Sequence, residues 1–242
     1  MEVEPLQAAL VVAVFAVALL NTAVQPTGGL MLALVASLVP VPLAVPIHAA
    51  IEAPLSGLAW LAQRRRAVTQ IVIAFSAGAL VSIGFAAPFA RVVPAHVQAI
   101  LIGAFLFWAC WWPAPDPGRR FPYRLPLAGA IIGACSAFVG ATGGLTRPFI
   151  ADEPIAAENV EPSVEACLAV KHLLKVVAFA VVGVAYGPHL LLVIAVVLAA
   201  IGGSLVGGRL NLRIPRPLFT LAIRLLVGLA ALRLIAVGIG WM

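Results

Sequence analysis

One short stretch occurs twice and constrains what this chain can fold into: Val24-Gln25-Pro26-Thr27-Gly28-Gly29-Leu30, then Val139-Gly140-Ala141-Thr142-Gly143-Gly144-Leu145. Both copies share V-x-x-T-G-G-L, and each closes an apolar run, 6–23 in the first copy and 127–142 in the second. Runs of that length rise most of the way through a bilayer, and a glycine pair there breaks the helix. Broken backbone inside lipid is tolerated only where its freed N–H groups face protein or a polar cavity. Two such breaks therefore point to one solute site between them. The pattern is that of a membrane transporter with a duplicated core.

Composition sets the class. Of 242 residues, 63% are hydrophobic and 10% charged, with a mean hydropathy of +1.12, far more apolar surface than a soluble domain of this size buries. In a soluble protein the net charge of +6 would suggest nucleic acid. Here the arginines gather in short loops between apolar runs, which is the positive-inside pattern, so lipid is the expected partner and nucleic acid is not. Cys110, Cys135 and Cys167 stand singly in apolar segments, which implies buried, inert thiols, with no disulfide framework and no metal site. Met1 to Pro5 is acidic where a signal peptide is basic, so the first apolar run is expected to remain as structure.

The expected fold is an all-α polytopic membrane protein of about eight to ten helical segments, arranged as two inverted repeats. Each repeat holds a broken or re-entrant helix pair plus three transmembrane helices. The first, 6–113, runs from a helix at 6–23 through the break at 26–29 to a short arm at 30–39, closed by Pro40, Pro42 and Pro46. Helices at 46–62, 68–90 and 94–112 follow, and a proline-rich loop at 114–126 connects the halves. The second repeat, 127–240, breaks at Gly143-Gly144, continues through 145–150 into an acidic loop at 151–163, and ends in helices at 164–186, 190–208 and 217–240. The halves align at an offset of 115 at Gly28/Gly143 and of 125 at Gly78/Gly203 and Gly103/Gly228, two matches in one order.

Short arginine-rich loops stay on the cytoplasmic side, which places 64–66, 119–124 and 209–216 inside. The uncharged turn Tyr186-Gly187-Pro188, which holds the repeat position of 64–66, then lies outside, as do both termini. Thirteen arginines against two lysines point to GC-rich coding, hence to a bacterial inner membrane.

In these residues the chain resembles the TauE/SafE sulfite exporter group, also called the toluene sulfonate uptake permease family. The likeness covers nearly the whole chain. It rests on a glycine-rich run followed by proline in each half, Pro26-Thr27-Gly28-Gly29 with Pro40 and Gly140-Ala141-Thr142-Gly143-Gly144 with Pro148. It also rests on the small-residue helix Ile201-Gly202-Gly203-Ser204-Leu205-Val206-Gly207-Gly208, which leads through Arg209 to a final apolar helix. Thr27 and Thr142 stand where that family often has a further glycine, and Arg147, Lys171 and Lys175 are further departures. The resemblance implies transport of sulfite or a related sulfur-containing anion, such as an organosulfonate or thiosulfate.

The residue chemistry suits an anion. Helix N-termini after the breaks aim the N–H groups of Gly28, Gly29, Gly143 and Gly144 at the cavity, each end carrying about half a positive charge. Thr27 and Thr142 add hydroxyls, either as N-caps or directly to the solute. Glycines serving only close helix packing are the plainer reading.

Charges within apolar spans cost several kcal/mol unless paired or hydrated. They are Glu52, Arg147, Lys171, Lys175 and Arg224, with His48 and His172 beside them. Lys171 and Lys175 attract the anion on one reading, with His48 and Glu52 as the site of a coupling proton. On the other, Glu52 pairs with a lysine and the group is structural. Arg147 approaches the solute or marks the membrane edge.

Three function classes follow: a secondary transporter working by alternating access without cofactor, an intramembrane enzyme using His48, Glu52 and His172 as metal ligands, and a passive channel or scaffold. No sequence motif for catalysis supports the second, and neither substrate, direction nor oligomeric state is legible.

Overall fold

The computed structural model describes residues 5–20, 28–112, 116, 118, 121–210 and 216–241. Among these the chain is all-α. Helices α1 (Pro5–Leu20), α2 (Gly28–Leu38), α3 (Val41–Ala62), α4 (Thr69–Val92) and α5 (Ala95–Trp111) make the first half. The second half holds α6 (Arg124–Val139), α7 (Gly143–Ala151), α8 (Ala157–Val181), α9 (Leu190–Leu210) and α10 (Arg216–Gly238). Four stretches are long and apolar enough to cross a membrane, Val41–Ala62, Thr69–Val92, Gly187–Gly207 and Thr220–Gly238, and α1, α2, α5 and α6 are shorter apolar helices.

Two helix starts differ markedly from expectation, one at a proline cluster and one in an acidic stretch. α3 begins at Val41, not near residue 46. Pro40 is its N-cap and Pro42 lies in its first turn, where a missing N–H removes no bond, so the proline cluster starts the helix instead of preventing it. Pro46 and Pro54 lie inside it, each deleting one ladder bond. Likewise α8 begins at Ala157, so most of the expected acidic loop at 151–163 is helical. Glu158 sits in its first turn, where a carboxylate complements the positive end of the helix dipole.

The helices pair across the halves. The most extensive contacts join α4 with α6, α1 with α9, α5 with α10 and α3 with α8. In lipid no hydrophobic force drives helices together, so association depends on close packing over small residues. At α4/α6 a Cβ on Gly78 would overlap the Pro126 carbonyl oxygen, and one on Gly129 the Phe75 carbonyl oxygen. At α1/α9 a Cβ on Gly203 would stand 2.5 Å from the Phe15 carbonyl oxygen, and at α5/α10 one on Gly103 would stand 2.6 Å from the Ala231 carbonyl oxygen. Gly78 with Gly203, paired in the sequence alignment, thus serve corresponding contacts.

Polar ties fix the second half at one end. Arg124, buried at the start of α6, donates from Nη1 to Asp152 Oδ2 (2.5 Å) and from Nη2 to the Phe149 carbonyl (2.9 Å) and Glu153 Oε1 (2.9 Å). This clamps α6 to the α7–α8 connection. Ser163 Oγ donates to the Asn159 carbonyl (2.7 Å) and accepts from the Val68 N–H (2.9 Å), joining α8 to the entry of α4. Ser163→Ala removes that acceptor from a half-buried N–H and is expected to cost about 1–2 kcal/mol, read as a lower Tm of the detergent-purified protein.

Candidate functional site: a chamber between two broken helices

The break in the second half is made by Gly140. It adopts φ +80° and ψ −76°, and the Ala141 N–H donates to the Val139 carbonyl (3.1 Å) across it, a γ-turn that residues with a Cβ disfavour. The Gly140 N–H donates to the Ser136 carbonyl, closing α6, and α7 starts three residues later at Gly143. Behind the turn lie the two lysines, both fully buried. Lys175 Nζ donates to the Gly140 carbonyl (3.1 Å) with a longer contact to the Ser136 carbonyl (3.5 Å), and Lys171 Nζ donates to Thr142 Oγ1 (3.0 Å). Cations at the carbonyl end of α6 satisfy groups that lipid cannot.

The first break is described only from Gly28 onward. Residues 21–27, Thr27 included, lie outside the described residues. α2 opens at Gly28, whose carbonyl is 3.0 Å from His48 Nε2. Glu52 Oε1 lies 3.7 Å from the same nitrogen and 3.9 Å from where a Cβ on Gly28 would stand. A carboxylate of the chain itself therefore occupies the space beside the α2 N-terminus.

Between the breaks is a chamber of ≈ 1080 Å³. Gly28, Gly29, Gly143, Gly144, Arg147, His48 and Glu52 border it, so the structure gathers most of the residues singled out in the sequence into one wall. A Cβ on Gly144 would meet nothing within 4 Å, so this side of α7 faces open space. Arg147, 59% exposed, pairs from Nε with Glu161 Oε1 (2.5 Å) at the chamber edge.

Thr142, Lys171 and Lys175 are not part of that wall. Thr142 is fully buried and makes no side-chain cap bond to α7, which corrects the expected capping role: its hydroxyl accepts from Lys171 instead. The lysines hold the turn from behind. The expectation for the cysteines is also corrected, since only Cys167 is buried, Cys110 borders the chamber and Cys135 is exposed.

Of three further chamber residues, His172 was read in the sequence only as a metal ligand of the enzyme alternative, and Glu165 was not singled out. His172 and Glu165 border the chamber from α8, seven residues apart and so on one helix face with Glu161 at the edge. Arg224, an intramembrane charge whose sequence readings were a pair with Glu52 or a contact to the anion, borders it from α10. Gly140 was quoted only as part of the repeated motif, whose first copy has Gln25 at the matching position.

The chamber runs toward one end of the bundle. Its walls include Ala59 late in α3, Trp108 and Trp112 at the end of α5, Ser204 late in α9, and Thr220 at the start of α10. In the sequence these helix ends adjoin the arginine-rich segments 64–66, 119–124 and 209–216. At the opposite end a hollow of ≈ 290 Å³ is bordered by Pro42, Leu43, Arg91 and His189. Among the described residues no group of three or more His, Cys, Asp or Glu side chains is placed to hold a metal ion.

No curated protein and no solved structure matches the chain significantly. One family does: the sequence model of Sulfite exporter TauE/SafE matches residues 8–234, spanning both breaks and all but the ends of the helical bundle. This integral membrane protein belongs to the TauE/SafE sulfite exporter family, a family of transporters and not of enzymes.

Proposed function

We propose that the protein is a secondary transporter of sulfite or a closely related sulfur oxyanion, working by alternating access around the two breaks in a bacterial inner membrane. The observation that carries this reading is the chamber wall that holds the glycines of both breaks. N–H groups at the open end of α7, with Arg147 one turn on, supply donors and positive charge for an anion. The lysines act through the second turn, keeping α7 in place. Glu52 beside the α2 N-terminus is the counterpart: protonated or moved aside it frees a second set of donors, which makes Glu52 and His48 the candidates for a coupling proton.

Two repeats, 6–113 and 127–240 with 114–126 between them, are supported by the reciprocal pairing of α4 with α6 and of α1 with α9. With the arginine-rich segments inside, the chamber belongs to the inward-open state, and the small hollow near Arg91 and His189 is the closed outer entrance.

A specific observation favours a larger substrate within the same class. The chamber far exceeds a four-atom oxyanion, and Leu106, Phe105, Trp108 and Trp112 give it an apolar side. An organosulfonate would set its sulfonate at α7 and its carbon skeleton on that side.

Access is testable by labelling. In a chain whose three cysteines are replaced by alanine, Ser204→Cys is expected to react with a membrane-impermeant maleimide only from the face bearing 64–66, and sulfite is expected to slow the reaction. Leu43→Cys is expected to react from the opposite face alone. Equal reaction of Ser204→Cys from both faces would contradict alternating access.

A further inference from the structure

His48 on α3 and His172 on α8 meet at the closed end of the chamber, their ring centroids 5.6 Å apart and their planes 66° from parallel. Both border the chamber while being almost wholly buried, at 0% and 3% exposure. His48 Nε2 faces the Gly28 carbonyl, which can only accept, so that nitrogen carries the hydrogen and Nδ1 holds the ring's lone pair. That Nδ1 has no hydrogen-bond partner, and neither has the Nδ1 of His172. A buried polar atom without a partner is costly, and two of them on touching rings in one chamber mark a place where something binds.

We propose that His48 and His172 form a shared proton site at the closed end of the chamber, which takes one proton at Nδ1 as one anion binds. This rests on the anion-transport reading above and deepens it. The ionisable groups facing the pair are Glu52 from α3, and Lys171 and Lys175 from α8, with Glu165 of α8 acting on Glu52. α2 presents the Gly28 carbonyl, while α7 and α10 bring Arg147 and Arg224 to the chamber wall. With Arg147 and Arg224 at the wall and the two lysines behind the turn, a proton on the pair and an empty anion site do not suit each other. An anion at α7 supplies the missing negative charge, so each ligand raises the affinity of the other by the same factor. Two imidazolium rings in contact repel, so the pair takes one proton and not two. The proton comes from chamber water and leaves to it when the anion does. The histidines are thereby the point where the two halves, each contributing one ring, read whether the site is filled.

The test is proton uptake on binding, measured by titration calorimetry of the detergent-purified full chain in two buffers of different ionisation enthalpy. The probes are methanesulfonate, which does not titrate near neutral pH, and sulfite with its own titration subtracted. The native protein is expected to take up about one proton per anion, with affinity rising about tenfold for each unit fall in pH. His48→Gln and His172→Gln are expected to bind with a flat pH profile and no uptake, each variant first checked for a single gel-filtration peak. If His48→Gln does not fold, His172→Gln, which disturbs no backbone bond, decides. Binding without proton uptake in the native chain overturns the proposal and leaves the transport reading standing. So does uptake that persists in the histidine variants and vanishes in Glu52→Gln. Failure of both probes to bind overturns both readings.

Discussion

Gly144→Leu is expected to reduce sulfite flux in proteoliposomes at least tenfold while leaving the Tm of the protein within a few degrees of native. The site of the substitution is open, since nothing lies within 4 Å of a Cβ there, so the fold has no clash to relieve. The leucine side chain instead enters the space in front of α7 and shields the N–H groups that the anion needs. Hydrogen bonds to a charged group contribute about 1.5–3 kcal/mol each, so losing one already gives the tenfold effect. Gly144→Ala, which adds a methyl group and no more, is expected to keep most of the flux. If Gly144→Leu transports like the native chain, the open end of α7 is not where the solute sits.

Gly140→Ala is expected to act on stability and flux together. Its backbone lies in the left-handed half of φ space, where a Cβ introduces strain of about 1–3 kcal/mol. That Cβ would also stand 2.9 Å from Leu32 Cδ2, so the buried Leu32 side chain has to give way, at a further cost of about 1 kcal/mol. The turn bound by Lys175 then relaxes, and with it the direction of α7. A Tm lowered by several degrees or a loss of folded protein in detergent, with flux lost in whatever folds, is the expected result. Native Tm and native flux in Gly140→Ala would show that the turn is not a fixed element of the site.

The two predictions probe what was easiest and what was hardest to read in the chain. The glycine pairs were legible because a break in lipid demands an explanation on physical grounds alone. The turn at Gly140 was not, since its need for glycine comes from a positive φ and from Leu32, which sequence spacing does not reveal. The lysines illustrate a different limit. Lys171 and Lys175 lie one turn apart, which suggested a cationic pair facing solute. Which side of α8 faces the chamber depends on the helix's orientation, and that side belongs to Glu165 and His172. The lysines lie roughly 60–100° round the helix from His172, toward the break. Proline was misleading at Pro40 with Pro42, because a proline in the first turn of a helix reads in sequence like a loop, and the acidic residues at 151–163 were misleading because carboxylates also suit the start of a helix. The pairing of glycines at offsets of 115 and 125 read more of the bundle than any single motif, since it named Gly78 and Gly203, which lie in the α4/α6 and α1/α9 contacts.

The most direct test of transport through the chamber is sulfite flux into and out of proteoliposomes holding the native chain or Gly144→Leu, at fixed internal and external pH. The account predicts flux above that of empty liposomes for the native protein and its loss in the variant. Absence of native flux for sulfite, methanesulfonate and thiosulfate under every imposed gradient would contradict it.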